Sequence, residues 1–319
     1  MQYRRLGGTG LQVSVIGFGG AAVSGASGGY GFGDIAEKTA HALLLSAYEQ
    51  GITLFDTAPI YGYGESERRF GKALGAVRDK VVIASKCGVC FDARKRVAID
   101  NRPDVVRRML EQSLRDLDSD YIDIYLVHWP DRKTPIEATV QALAAARERG
   151  QVRHIGLSNC STEDIRRALA VAPIAVLQHE HNLFSREAAR AVLPLAAEQE
   201  LGFMGYGTLD KGILTGRVTA DRAFESCDVR ASAPWWTRAD RSTKYAAMRE
   251  IAGLLATAGH TGLELALASA LALPTVSTAL CGMKSEQQVR ACVAALAHLP
   301  PAEVVESAAA AAAAAGACS

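Results

Sequence analysis

The chain has 319 residues, 49% of them hydrophobic and 22% charged, and its formal net charge is +1. This is ordinary globular composition, and the nearly neutral charge argues against nucleic acid or an anionic membrane as a partner. The basic N-terminal residues are not followed by an apolar run, so we predict no signal peptide, no membrane span and a cytoplasmic location.

The seven cysteines are spread along the chain without the spacing of a disulfide framework. We therefore expect free thiols in a reducing compartment. Cys87 and Cys90 form a CxxC motif, which can serve redox chemistry or metal binding. No second cysteine pair or histidine pair at zinc spacing accompanies the motif, so we interpret both as loop thiols and predict no metal.

The first elements of the chain are two short segments, 3–6 and 11–15, which flank Gly-Gly-Thr-Gly and predict a β-hairpin. Beyond them, short apolar runs alternate with amphipathic helical segments, as in buried parallel strands joined by helices. The predicted strands are 16–18, 53–56, 81–86, 122–128, 154–158, 176–179, 202–206 and 276–281. The predicted helices are 36–50, 66–74, 103–117, 135–149, 162–170, 186–200 and one that begins after Ser285.

Eight such alternations predict an α/β protein, a closed (β/α)8 TIM barrel preceded by the β-hairpin. A barrel of this kind exceeds about 250 residues as one unit, so we predict a single domain over residues 1–300. Residues 208–242 are long and irregular, and loops of this length are usually functional. Residues 301–319 are rich in alanine without an amphipathic stripe, which predicts a tail that is a frayed helix or disordered.

Polar residues end three neighbouring predicted strands. The second strand ends at Asp56, with Tyr61 in the following loop, the third ends at Lys86, and the fourth ends at His128. Each residue alone is more often a cap, an ion-pair partner or a packing residue. Active sites of (β/α)8 barrels lie at the C-terminal ends of the strands. The convergence of all four at that rim therefore predicts a catalytic group.

The four side chains suit the reduction of a carbonyl, which needs a hydride donor and a proton donor at the oxygen. Tyr61 is the candidate proton donor, although a free tyrosine has a pKa of ~10. A charged Lys86 at ~4 Å would contribute up to ~4 kcal/mol and lower the pKa of Tyr61 by up to a few units. Asp56 would hold Lys86, and His128 would hydrogen-bond the substrate oxygen.

Five segments carry a resemblance to a known family: 55–67 (FDTAPIYGYGESE), 83–86, 126–130, 153–159 and 205–216. With them the chain resembles the aldo-keto reductase superfamily from about Tyr3 to Ala297, and especially bacterial members of a general-stress or sugar and alcohol type. The resemblance implies an NADPH-dependent oxidoreductase that reduces a small aldehyde or ketone, sugar-like carbonyls included. Tyr61 would be its general acid and base.

The resemblance also implies where NADPH binds. Ser158, Asn159 and Gln178 would bind the nicotinamide carboxamide, and Tyr206 would stack on the ring. The remaining cofactor residues lie in glycine-rich turns and at the last helix. They are Gly19 and Gly20, then Gly207, Thr208, Leu209 and Gly212 at the pyrophosphate, Gly282, Lys284 and Ser285 at the 2′-phosphate, and Gln288 near the adenine. Lys284 stands where close relatives often have arginine.

The substrate pocket is predicted to include Tyr30, Trp129 and His179, with Phe32 and the 235–236 tryptophan pair as further candidates. His179 and His181 would line or pack the site, so we expect a polar pocket that takes small carbonyls in preference to steroids. The partner is a small molecule, and the sequence leaves the oligomeric state open. Two alternatives remain, namely a sugar or cyclitol dehydrogenase that works in the oxidative direction and a cofactor-binding regulatory subunit.

Overall fold

A closed barrel of eight parallel strands forms the centre of the protein. The structure is a computed structural model that describes residues 1–318, except for the side chain of Ser27. The barrel strands lie close to their predicted ranges, so the (β/α)8 fold is confirmed. In chain order the strands are β1 (Tyr3–Arg5), β2 (Gln12–Ser14), β3 (Ile16–Gly19), β4 (Leu54–Asp56), β5 (Val82–Cys87), β6 (Val89–Phe91), β7 (Val97–Ile99), β8 (Ile122–Val127), β9 (Val152–Ser158), β10 (Ile174–Glu180), β11 (Gly202–Tyr206) and β12 (Val276–Cys281).

Two antiparallel hairpins lie outside the barrel. The first, β1 with β2, is the predicted N-terminal hairpin, and Leu6 between its strands inserts into the barrel interior beside Val176 and Met204. The chain then runs so close to β11 that a Cβ on Gly7 would lie 2.2 Å from the backbone nitrogen of Gly202. The second hairpin, β6 with β7, follows β5 at the opposite end of the barrel and was not predicted.

The helices surround the barrel. Their bounds are α1 (Glu37–Glu49), α2 (Glu65–Leu74), α3 (Pro103–Asp116), α4 (Ile136–Glu148), α5 (Thr162–Leu169), α6 (Glu187–Glu198), α7 (Pro234–Thr237), α8 (Ser242–Ala258), α9 (Gly262–Leu271), α10 (Glu286–Ala295) and α11 (Ala302–Ala314). No helix was predicted between the irregular segment and β12, where α8 and α9 lie. Most side chains of α9 are buried, so its sequence lacks the polar face that marks an amphipathic helix.

The alanine-rich end of the chain differs from the expectation of a frayed or disordered tail. It forms α11, which packs against α8, and Ala308 and Ala312 are completely buried there. Alanine has the highest helix propensity, and its small side chain lets two helices approach closely without a broad apolar stripe. The division into a domain over 1–300 and a tail over 301–319 stays a prediction, and Ser319 lies outside the described residues.

Within residues 1–318, no single helix is long and apolar enough to cross a membrane. Helices α8 and α9 together have the required length and apolarity, but the pair is bent by 97°.

Candidate active site

The inward-facing side chains of the barrel change from apolar to polar at the C-terminal rim. Alternate residues of each strand face the interior, so Leu54 of β4 is followed two positions later by Asp56, and Ala84 of β5 by Lys86. The rim positions reached in this way are Asp56, Lys86, His128, Ser158, Gln178 and Tyr206. Strand periodicity thus places residues from six parts of the chain in one polar layer.

An ion pair lies at the centre of this layer. The Lys86 ammonium is fully buried and donates to both carboxylate oxygens of Asp56, at 2.7 and 2.8 Å, and to the Thr57 carbonyl at 2.7 Å. The Gln178 side-chain amide donates to the same carboxylate at 2.7 Å. Burial lowers the pKa of Lys86, and the Asp56 charge opposes this change. As expected from the sequence, Asp56 holds Lys86.

Tyr61 lies directly over this ion pair. The Lys86 nitrogen is 5.1 Å from the centre of the Tyr61 ring, and the His128 ring lies edge-on to Tyr61 with the ring centres 6.0 Å apart. Burial raises the pKa of Tyr61 well above its ordinary value, and the Asp56 charge adds to this increase. The expected lowering of the Tyr61 pKa is therefore corrected, because burial and the Asp56 charge raise it. Tyr61 remains a protonated phenol at neutral pH, which is the form a proton donor needs.

His128 is a neutral imidazole in this arrangement. Burial and the nearby Lys86 charge hold the pKa of His128 well below its usual value. Its backbone nitrogen donates to the Cys87 carbonyl at 2.9 Å, which extends the pairing between β5 and β8 by one residue. A neutral imidazole retains one N–H, so His128 can donate a hydrogen bond to an oxygen placed beside Tyr61.

The residues predicted to bind the nicotinamide adjoin this group. The Asn159 amide donates to the His128 carbonyl at 2.9 Å and to the Ser158 hydroxyl at 3.0 Å. The Tyr206 hydroxyl donates to the Asn159 side-chain oxygen at 2.8 Å. Asn159 has a φ of 57°, a left-handed conformation that is uncommon outside glycine and recurs at functional sites. The barrel thus brings these residues and Gln178 to the edge of the group formed by Asp56, Tyr61, Lys86 and His128.

The predicted pyrophosphate loop follows β11. Gly207 and Gly212 have φ values of 69° and 101°, where a Cβ would strain the backbone. Thr208 between them is buried, Leu209 is partly buried, and Lys211 forms an ion pair with Glu180 at the end of β10. The loop is therefore held against the barrel.

The predicted 2′-phosphate site lies at the start of α10. Ser285 caps this helix by accepting from the Gln288 backbone nitrogen at 3.2 Å, and the Gln288 side chain accepts from the Lys284 backbone nitrogen at 2.6 Å. The Lys284 ammonium donates to the carbonyls of Phe32 and Asp34, at 2.8 and 2.9 Å. An ammonium beside a helix N-terminus suits a phosphate.

Three glycines of the predicted cofactor site permit close contacts. A Cβ on Gly19 would lie 3.3 Å from the backbone nitrogen of Gly282, so the loops after β3 and β12 adjoin. A Cβ on Gly20 would lie 2.7 Å from the Asp56 carbonyl and 2.6 Å from the Ser66 hydroxyl. Gly20 therefore allows its loop to pack on β4 and α2.

Aromatic side chains surround the mouth of the barrel. Tyr30, Trp129 and Trp235 are 41%, 43% and 40% exposed. A cavity of ≈ 340 Å³ is lined by Tyr30 and Trp235 together with Tyr63 and Val97. Ser226, Asp228 and Ser232 also line this cavity, so the rim combines aromatic and polar side chains, and the expectation of a polar pocket stays a prediction.

Two further candidates for the substrate pocket, Trp236 and Phe32, pack against other residues of the protein. Trp236 is buried and packs edge-on against Phe224, with the ring centres 5.7 Å apart. Phe32 forms an antiparallel bridge with Asp228 and lies under the Arg230 guanidinium. Both aromatic rings therefore help to hold the irregular segment across the barrel mouth.

His179 does not reach the pocket, and its assignment there is corrected. Gln178 faces the barrel interior, so the next residue of β10 must face the helices. The His179 ring stacks on Phe203 with the ring centres 6.3 Å apart, and His181 meets Phe203 edge-on. Burial lowers the pKa of His179 to about 4, and that of His181 to about 4, so both are neutral packing residues.

The CxxC cysteines are not loop thiols. Cys87 is the buried last residue of β5, and Cys90 lies in β6 with its sulfur 3.4 Å from the Ala98 carbonyl. Within residues 1–318, no group of three or more histidine, cysteine, aspartate or glutamate side chains could hold a metal ion. The unpredicted β6–β7 hairpin contributes Val97 to the cavity that Tyr30 and Trp235 line. Its strands are two apolar triplets on either side of a charged turn, which was a signal for a hairpin in the sequence.

Comparisons with known proteins agree with this architecture. The model of the aldo/keto reductase family matches residues 15–312. Aldo-keto reductase YhdN of Bacillus subtilis is 36% identical over 91% of this chain and 87% of its own length. The NADH-specific methylglyoxal reductase of Escherichia coli is 31% identical over 91% of this chain and 92% of its own length. The structure of the glycerol dehydrogenase AKR11B4 from Gluconobacter oxydans superimposes with a TM-score of 0.82 at 29% identity, over 97% of this chain and 94% of that one.

Proposed function

Because the chain belongs to the aldo/keto reductase family and is an oxidoreductase of small carbonyl or alcohol substrates, we propose that it is an NADPH-dependent reductase of small aldehydes and ketones. The observation that carries the proposal is the group at the rim, in which the buried Lys86–Asp56 ion pair lies beneath the Tyr61 ring beside a neutral His128.

Tyr61 gives the proton to the carbonyl oxygen in this proposal. Burial keeps the phenol protonated at neutral pH, so the proton is present when the carbonyl arrives. His128 donates a hydrogen bond to the same oxygen and polarises the carbonyl. As Tyr61 loses its proton, the Lys86 charge lies below the ring and stabilises the forming phenolate. In the oxidative direction the phenolate accepts the proton instead.

The cofactor contributes one capability, since a bound nicotinamide supplies the hydride. Ser158, Asn159 and Gln178 offer a hydroxyl and two amides for its carboxamide, and Tyr206 offers an aromatic face. For the phosphates, the chain offers the glycine-rich loop after β11 and the Lys284–Ser285 turn at α10. These groups suit a dinucleotide in charge and hydrogen-bonding chemistry.

Small carbonyls, sugar-like ones included, are the proposed substrates. The names of two similar proteins mention methylglyoxal and glycerol, both small and polar. The glycerol dehydrogenase also favours a second candidate, a sugar or cyclitol dehydrogenase that works in the oxidative direction on the same residues. A purely regulatory, cofactor-binding role is disfavoured because the Asp56, Tyr61, Lys86 and His128 side chains are all present and assembled.

The proposal is tested by following NADPH absorbance with a panel of aldehydes and ketones, including methylglyoxal, glyceraldehyde and benzaldehyde. The reverse reaction is followed with NADP⁺ and the matching alcohols. We expect turnover of several small aldehydes at neutral pH. Tight NADPH binding without turnover of any carbonyl or alcohol would contradict the enzymatic function and favour the regulatory role.

Lys284→Ala is expected to weaken NADPH binding by about ten- to a hundredfold while NADH binding changes little. The two cofactors differ only in the 2′-phosphate, and Lys284 directly precedes Ser285, which caps the helix N-terminus proposed to receive that group. Dissociation constants for both cofactors at low and high salt measure the effect, and the variant should flatten the salt dependence of NADPH binding.

Lys80→Ala is the matched control for this test, because Lys80 is an exposed lysine just before β5, at the opposite end of the barrel. It should leave both dissociation constants unchanged. Equal losses for NADPH and NADH in Lys284→Ala would mean that the lysine acts through its bonds to the Phe32 and Asp34 carbonyls rather than through the phosphate.

A further inference from the structure

A second buried carboxylate lies behind the strand that carries Lys86. Glu67 on α2 is completely buried, and the Ser85 hydroxyl donates to its Oε1 at 2.6 Å. Ser85 and Lys86 are consecutive on β5, so they face opposite sides of the barrel wall. The second oxygen of Glu67, Oε2, is buried and has no hydrogen bond of good geometry to any residue in the described chain. Glu67 therefore lies one strand thickness away from the Lys86–Asp56 pair.

The groups around Glu67 come from each element that packs on it. From β5, the charge of Lys86 acts on Glu67, and from β8 the Tyr125 hydroxyl faces the same space. From α3 come the Ser113 hydroxyl and the negative charge of Asp116, which pairs with Arg68 of α2. Among these groups, Lys86 also belongs to the active site, through its bonds to Asp56.

The charge on Glu67 is variable near neutrality. Burial raises the pKa of Glu67 to about 7, although the Ser85 hydrogen bond and the Lys86 charge act in the opposite direction. The interaction is mutual, because Glu67 raises the pKa of Lys86. Lys86 thus faces either one carboxylate or two, depending on whether Glu67 holds a proton.

We propose that Glu67 is a positioning residue that acts through Lys86 on the equilibrium between phenol and phenolate at Tyr61. The inference rests on the proposed role of Tyr61 as acid and base. When Glu67 is ionised, two carboxylates share the Lys86 charge, and less of that charge is available to stabilise a phenolate. Ionised Glu67 therefore keeps Tyr61 protonated and favours carbonyl reduction, whereas neutral Glu67 favours alcohol oxidation.

Glu67→Gln tests the inference, since it keeps the shape of the side chain and removes the charge. The pH profile of kcat/KM for alcohol oxidation should move to lower pH by about half a unit to one unit, because the phenolate forms more easily. Ser85→Ala, which removes only a hydrogen bond that lowers the pKa of Glu67, should move the profile in the same direction by less. It also provides a readout if Glu67→Gln does not fold.

Glu65→Gln is the matched control, with the same change on the same helix at a partly exposed glutamate that pairs with Arg68 and Arg69. It should leave the pH profile in place. A Glu67→Gln enzyme that loses activity or stability without moving the profile more than this control would overturn the inference, since Glu67 would then have only a structural role.

A measurement independent of turnover separates this inference from the proposed function. The infrared band of the protonated Glu67 carboxyl, assigned by its loss in Glu67→Gln, should titrate with a higher midpoint in Lys86→Met, because a nearby positive charge is gone. An unchanged midpoint would overturn the link between Glu67 and Lys86 while leaving the function of Tyr61 intact. Undiminished turnover in Tyr61→Phe would instead overturn both the proposed function and this role of Glu67.

Discussion

Tyr61→Phe is expected to reduce turnover by about 10²–10⁴-fold while NADPH still binds with nearly the same dissociation constant. Only the hydroxyl is removed, and the phenylalanine ring can keep the contacts of the tyrosine ring with Lys86 and His128. The Tyr206 hydroxyl is already bound to Asn159, so it does not replace the lost donor. The loss should therefore appear in kcat in both directions of the reaction.

The measurement combines steady-state rates with a fluorescence titration of NADPH. Tyr3→Phe is the matched control, since Tyr3 loses only a hydroxyl that donates to the Gly51 carbonyl, in the hairpin at the far end of the barrel. That control should keep the wild-type rate. Loss of the proton donor should reduce kcat by much more than about tenfold. If Tyr61→Phe retained more than about a tenth of the wild-type kcat, Tyr61 would not be the proton donor.

Lys86→Met is expected to abolish turnover and to destabilise the fold by about 3–5 kcal/mol. The substitution leaves the Asp56 carboxylate buried without its cation, and burial of an unpaired charge is more costly than the loss of an exposed ion pair. It also removes the charge that stabilises the Tyr61 phenolate, so chemistry and stability are lost together. Urea denaturation and kcat measure the two effects separately.

A double variant distinguishes the two effects. Lys86→Met combined with Asp56→Asn removes both charges, so it should regain much of the lost stability but none of the activity. Lys72→Met is the control for charge removal, because Lys72 pairs with Glu37 on the surface, where an ion pair contributes about 0–1 kcal/mol. A double variant that recovers turnover would show that Lys86 has a structural role only.

Local pattern in the sequence was sufficient to predict the barrel and the composition of its rim. Apolar runs and helix starts are each encoded by a few consecutive residues. The same local patterns mark the strand ends at which Asp56, Lys86 and His128 lie. The outward direction of His179 was also encoded, since strand residues alternate and Gln178 was expected to face the site. That error came from treating neighbouring residues of one strand as members of one pocket.

Burial and charge pairing depended on contacts between distant parts of the chain. The sequence alone, with Lys86 near Tyr61, predicted a lowered pKa for the tyrosine, but in the fold burial and the Asp56 charge raise it. It also buries Glu67 behind β5 and ties Lys284 to the Phe32 carbonyl, which is far away in the sequence.

The two kinds of information have different physical origins. Periodicity and capping reflect the backbone geometry of a few consecutive residues, so the (β/α)8 fold and the rim residues could be read from the sequence. The packing of α11 on α8 and the pKa changes of Tyr61 and Glu67 depend on which groups surround a side chain in space. The closed barrel determines those neighbours, because it brings together strands that are separated by long stretches of chain.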